Sequence, residues 1–137
     1  MPNFNATFPW AAQLQRLQQR DPALAPLALF DEAELTEAGR SLELLLQAGQ
    51  AFAQSDVDVG LVADELRRFQ KFAPPGRPSV QIVQLRRQQS TVQQAQRMAR
   101  QAFIRQADAF ARALPLVVPA KLGLVTTVER WLQAKLA

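Results

Sequence analysis

Apolar residues recur at helical spacing along most of the chain. Trp10, Leu14 and Leu17 stand at i, i+4 and i+7, which predicts a short helix ending near Arg20, where Asp21-Pro22 stops it. Thr7 before Phe8-Pro9 offers an entry with proline in the first turn. Residues 23–29 read as a proline-punctuated connector with room for a turn of helix. Leu35, Ala38, Leu42, Leu45, Gly49 and Phe52 then keep a 3-4 spacing, the seam of a helix over 32–54 that packs on another helix. Asp31 can cap it. Asp31, Glu32, Glu34 and Glu37 crowd its start, where the positive end of the helix dipole favours anions. A glycine inside a helix costs about 1 kcal/mol relative to alanine. The place of Gly49 on the seam therefore predicts a close helix crossing.

Ser55 or Asp58 starts a third predicted helix, with Leu61, Val62, Leu66 and Phe69 on one side. The run Ala73-Pro74-Pro75-Gly76-Arg77-Pro78 ends regular structure and makes a stiff hinge. Residues 79–85 are rich in β-branched side chains. They read either as an extended segment or as a helix capped by Ser79, and Ser90 with Gln93 offers a second capping start. Either way a helix reaches Leu114 and stops before Pro115. Leu85, Val92, Ala99, Phe103, Phe110 and Leu114 fall on one stripe of it, within an arc of about 60°. Arg87, Arg97, Arg105 and Arg112 lie on the broadly opposite side. A last helix, from Thr126 or Thr127, carries Val128, Trp131, Leu132 and Leu136. No internal repeat interrupts this order. The pattern predicts an all-α fold, an up-down bundle of four or five helices in one domain, 1–137. The helices over 32–54 and 90–114 should pack through Leu42, Leu45, Phe52, Phe103 and Phe110. The seams are narrow enough that dimerisation can complete the bundle.

Charge adds a division that hydropathy does not show. The chain splits into an acidic half, 1–72, a proline hinge, 73–78, and a basic half, 79–137. Six basic and ten acidic residues precede Phe72; ten basic and two acidic ones, Asp108 and Glu129, follow it. Seven arginines, no lysine and one acid lie between Arg77 and Arg112, interleaved with glutamine and alanine. The candidate contact residues are Arg86, Arg87, Arg97, Arg100, Arg105 and Arg112, with a secondary basic cluster at Arg67, Arg68 and Lys71. A guanidinium presents a planar fork of donors suited to phosphate or carboxylate. Arg97, Arg100, Arg105 and Arg112 could instead be neutralised inside the protein by Glu32, Glu34, Glu37 or Glu43.

Composition excludes several chemistries. The chain contains no cysteine and no histidine, which removes disulfides, thiol or imidazole zinc ligands, and Ser-His or Cys-His catalysis. Asp56, Asp58, Asp64 and Glu65 suggest a cation loop, but Gly60 falls one place early and Arg67 stands where the last acid belongs. Glu34 and Glu37 have no accompanying nucleophile or glycine-rich phosphate loop. No enzyme, metal or cofactor is expected. The N-terminus lacks the basic and apolar regions of a secretory signal, and no apolar run approaches the ~20 residues that cross a bilayer, so a cytoplasmic location is expected. Phe4, Phe8 and Trp10 are either a docking peptide for a partner or anchors for the protein's own bundle.

The functional expectation is a non-catalytic interaction module, such as an adaptor, assembly factor or chaperone-like accessory protein, that offers its arginine face to an acidic protein. The alternative is nucleic-acid binding through phosphates, without an aromatic residue on the arginine face for stacking. A weaker alternative is an anionic membrane or hydrophobic particle surface, which requires the apolar stripe of the basic helix to be free. A homodimer is compatible with each.

Overall fold

The computed structural model describes residues 10–27, 29–31, 34–72, 76, 79–119 and 121–136. Helix α1 covers Ala11–Gln18 and a 3₁₀ segment follows at Pro22–Leu27. Strands β1 (Phe30–Asp31) and β2 (Glu34–Leu35) form a minimal antiparallel pair, Phe30 opposite Leu35 and Asp31 opposite Glu34. Helix α2 runs Glu37–Lys71, α3 Val80–Ala113 and α4 Gly123–Trp131, which continues as a π-helical turn at Leu132–Leu136. Among the described residues, every other element is helical.

Two long helices, α2 and α3, make an antiparallel hairpin. Leu45 and Leu46 share a core with Ala107 and Phe110. Farther along, the Phe52 and Phe103 rings lie 6.1 Å apart. At the far end Leu66 meets Ile82 and Leu85. Each helix rises about 1.5 Å per residue, so the hairpin is a rod about 50 Å long. The short elements gather where α2 begins and α3 ends. Leu14, Leu17, Leu24 and Leu29 join Leu42, Leu45, Phe110, Val128 and Leu132 in one core there. The protein is thus a packed head on a two-helix rod.

The seam of α3 shows why the rod forms. Ile82, Leu85, Gln89, Val92, Gln96, Ala99, Phe103, Gln106, Phe110 and Ala113 alternate in 3-4 steps, and none is exposed. That spacing keeps one side of a helix on its partner. Three glutamines occupy this seam. Gln96 donates through Nε2 to the Asp56 carboxylate of α2. A polar contact at a seam position favours one register over its neighbours at some cost in stability.

The acidic half holds fewer breaks than its sequence predicts. The expected boundary at Ser55 or Asp58 is absent, and α2 passes through it. Ser55 cannot act as a cap because its hydroxyl donates to the Phe52 carbonyl at 2.6 Å, one turn back. The Asp58 carboxylate likewise accepts from Gln54 Nε2 at 2.8 Å. The start of α2 also differs. Thr36, not Asp31, is the cap, and its Oγ1 accepts from the Gly39 amide at 3.1 Å. Asp31 and Glu34 are taken up by the strand pair, which leaves Glu37 as the acid in the first turn. Glu32 lies outside the described residues, as do Thr7, Phe8 and Pro9.

In the basic half, the segment after Ser79 is helical rather than extended. Ser79 Oγ accepts from the Ile82 amide at 3.2 Å, and Ile82 is 3% exposed. The cap and the burial together outweigh the β preference of Val80, Ile82 and Val83. Ser90 lies inside α3 and starts nothing. The helix ends at Ala113 with Leu114 as its C-cap, ahead of Pro115. Helix α4 starts at Gly123, earlier than Thr126, and Thr127 Oγ1 donates back to the Gly123 carbonyl at 2.8 Å instead of capping.

Gly60 sits inside α2, exposed, with nothing within 4 Å of where a Cβ would stand. Gly60→Ala should therefore raise stability by about 1 kcal/mol, because alanine loses less backbone entropy in a helix. Urea unfolding should show a higher midpoint at unchanged slope.

Candidate interaction surface

Burial decides which side of α3 is available. Its 3-4 seam is covered by α2, so charged residues are directed away from that helix. Arg86, Arg87, Arg97, Arg100, Arg105 and Arg112 are all exposed. From Arg86 to Arg112 they extend over roughly 40 Å of helix. Within α3 the Arg112 guanidinium pairs with Asp108 at 3.1 Å, an exposed i,i+4 contact. Such pairs contribute only a few tenths of a kcal/mol. Among the described residues none of the other five arginines has an acidic partner.

Three acids of α2 are engaged elsewhere. Asp56 accepts from Gln96, Asp58 from Gln54, and Asp64 pairs with Arg67 on its own helix. Glu37 and Glu43 make no ion pair among the described residues. The alternative reading, in which the acidic half neutralises the arginine face, finds no ion pair among the described residues. The reason is geometric: the helices meet mainly through apolar side chains, and the α2 acid that reaches across, Asp56, accepts from Gln96 rather than from an arginine.

The hairpin brings the two basic clusters closer than their sequence separation suggests. Arg67, Arg68 and Lys71 lie in the last turns of α2, and Arg86 and Arg87 about two turns into α3. The contacts of Leu66 with Ile82 and Leu85 hold these segments side by side. Arg97, Arg100 and Arg105 lie farther up the rod, and Arg112 is at the head.

Two apolar residues interrupt the arginine face. Met98 is 60% exposed and Ile104 39%. Ile104 and Arg105 line a shallow depression with Gln101. Their signal in the sequence is that neither fits the 3-4 seam of α3, so both must lie off the face that meets α2.

A separate cleft of about 200 Å³ opens between the hairpin and the short elements, lined by Trp10, Gly49, Phe52, Phe103 and Leu132 with Asp56 and Glu129. Gly49, expected at a helix crossing, is a buried wall of this cleft. Trp10 and Trp131 serve the protein's own packing; the Trp131 ring stands edge-on to Phe110 at 4.9 Å. Phe4 and Phe8 lie outside the described residues. No group of three or more metal-capable side chains converges among the described residues. No described helix is long and apolar enough to cross a membrane.

No protein-family model matches the chain, and no similar protein was found among curated sequences or solved structures.

Proposed function

We propose that this protein is a non-catalytic interaction module whose α3 arginine face engages an acidic partner protein. The observation that carries this reading is the absence of acidic partners for Arg86, Arg87, Arg97, Arg100 and Arg105 among the described residues. Met98 and Ile104 favour a protein over a nucleic acid as the occupant. Protein interfaces are enriched in arginine and methionine and bury apolar side chains at their centre, whereas a phosphate backbone contributes nothing to covering them. The adaptor, assembly or chaperone-like roles all use such a surface.

The test is Arg97→Glu, Arg100→Glu and Arg105→Glu combined. Affinity capture from extracts of the source cell, with wild-type and variant baits compared, should recover an acidic protein with wild type and at least about tenfold less with the variant. Equal recovery removes the arginine face as the contact surface. Nucleic-acid binding is the alternative, through contacts to phosphates without sequence reading. It predicts a gel shift with duplex DNA whose log affinity falls against log salt by about 0.9 per phosphate neutralised. Completion of the bundle by a second copy is a further reading, favoured by Leu44 and Leu61, 48% and 53% exposed on α2. Sedimentation equilibrium returning the monomer mass ends it.

A further inference from the structure

The cleft between the hairpin and the short elements joins aromatic walls to acidic groups. Helix α2 supplies one wall. Gly49, Phe52 and Asp56 stand at i, i+3 and i+7, so they share one side of that helix. Gly49 offers no side chain to fill the space beside it, and the cavity there measures about 200 Å³. Phe103 enters the lining from α3, its ring 6.1 Å from that of Phe52 and tilted by 42°. Trp10, the residue ahead of α1, adds a third ring, and Glu129 of α4 adds a second acid.

The charge of this lining has one sign. Asp56 and Glu129 are its charged residues, and no lysine or arginine belongs to it. Both acids are exposed, and neither pairs with a cation among the described residues. Asp56 accepts from Gln96, a neutral donor that holds the carboxylate in place without neutralising it. The arginines of α3 do not line the cleft, so it is separate from the surface assigned to the partner protein.

We propose that this cleft binds a small organic cation, an alkylated ammonium of about the size of choline. Such a group is drawn to the faces of aromatic rings, and its methyl groups gain by leaving water. The two carboxylates add an attraction that salt screens. The size agrees, since a cavity of about 150 Å³ already holds a benzene-sized molecule. A divalent metal ion fits worse, because it seeks about six oxygen ligands and this wall offers two acids among mainly apolar side chains. An anion would meet two like charges.

The experiment is titration of the full chain with choline, followed by proton–nitrogen NMR at the Trp10 indole N–H, a signal identified by its loss in Trp10→Phe. Two comparisons accompany it. The first is 3,3-dimethyl-1-butanol, which has the shape of choline without its charge. The second is the variant Asp56→Asn with Glu129→Gln. Both positions are exposed and the amides keep the side-chain shape, so circular dichroism should show unchanged helix content. Choline should shift the signal saturably, and more weakly at high salt. The alcohol should bind the wild type at least about tenfold less tightly than choline does. The variant should bind choline about fivefold less tightly or worse, and the alcohol as the wild type does. The proposal is overturned if choline gives no saturable shift, if the alcohol binds as tightly, or if the variant keeps the wild-type affinity for choline. The alcohol comparison uses the unaltered protein, so it decides the matter whatever the substitutions do to the fold.

Discussion

Phe110→Ala is expected to destabilise the protein by about 3–5 kcal/mol, which approaches the whole stability of many small domains. Phe110 is fully buried, and it is the largest side chain that is. It projects from α3 into the head, where it meets the core of Leu14, Leu17, Leu42 and Val128 and the edge of the Trp131 ring. The loss therefore combines the transfer of an aromatic ring, the cavity left behind and an edge-on aromatic contact. Both long helices pass through this core, so the rod should lose its anchor together with the head. Urea unfolding followed by circular dichroism should show the midpoint falling, and tryptophan fluorescence should report the same transition. Phe103→Ala provides the comparison. Phe103 is only partly buried, beside Phe52 at the edge of the core, and its loss should cost clearly less. Equal costs at the two positions would mean that the head is not the dominant core.

Gly39→Ala should destabilise by about 2–3 kcal/mol, the opposite sign from Gly60→Ala, although both glycines belong to α2. A Cβ on Gly39 would stand 1.7 Å from the Leu29 carbonyl oxygen and 2.8 Å from its carbon. Both are backbone atoms, so no side-chain rotation relieves the clash. The Leu29 carbonyl also accepts the Thr36 amide at 3.0 Å. That bond closes the loop carrying the strand pair over the first turn of α2. Alanine must push this loop away, breaking the bond and lifting the fully buried Leu29 from the core. Its helix propensity returns only about 1 kcal/mol. Paired urea titrations of the two variants against wild type should move the midpoint in opposite directions. A stabilised Gly39→Ala protein would show that the loop does not lie on α2.

Much of this arrangement was legible in the chain, for identifiable reasons. The seam of α3 could be read because its 3-4 period persists over the whole helix, and the stop at Pro115 because proline cannot extend a helix. The packing set Leu42, Leu45, Phe52, Phe103 and Phe110 followed from two such periods facing each other. The continuity of α2 was not legible. Ser55 and Asp58 are capping residues by type, and only the hydrogen bonds they make in the helix reveal that they do not cap. The significance of Gly39 was equally hidden. The place of Gly49 on the seam is visible in the sequence, whereas the close approach at Gly39 comes from a loop that folds back.

The contact surface divides in the same way. Local composition determines that Arg86, Arg87, Arg97, Arg100, Arg105 and Arg112 lie off the apolar stripe, because helical period is a property of neighbouring residues. Whether the acidic half covers them depends on which faces of two distant helices meet. That is a tertiary question, and the packing answers it: among the described residues no acid of α2 pairs with an arginine of α3, and Asp56 reaches across to Gln96 instead.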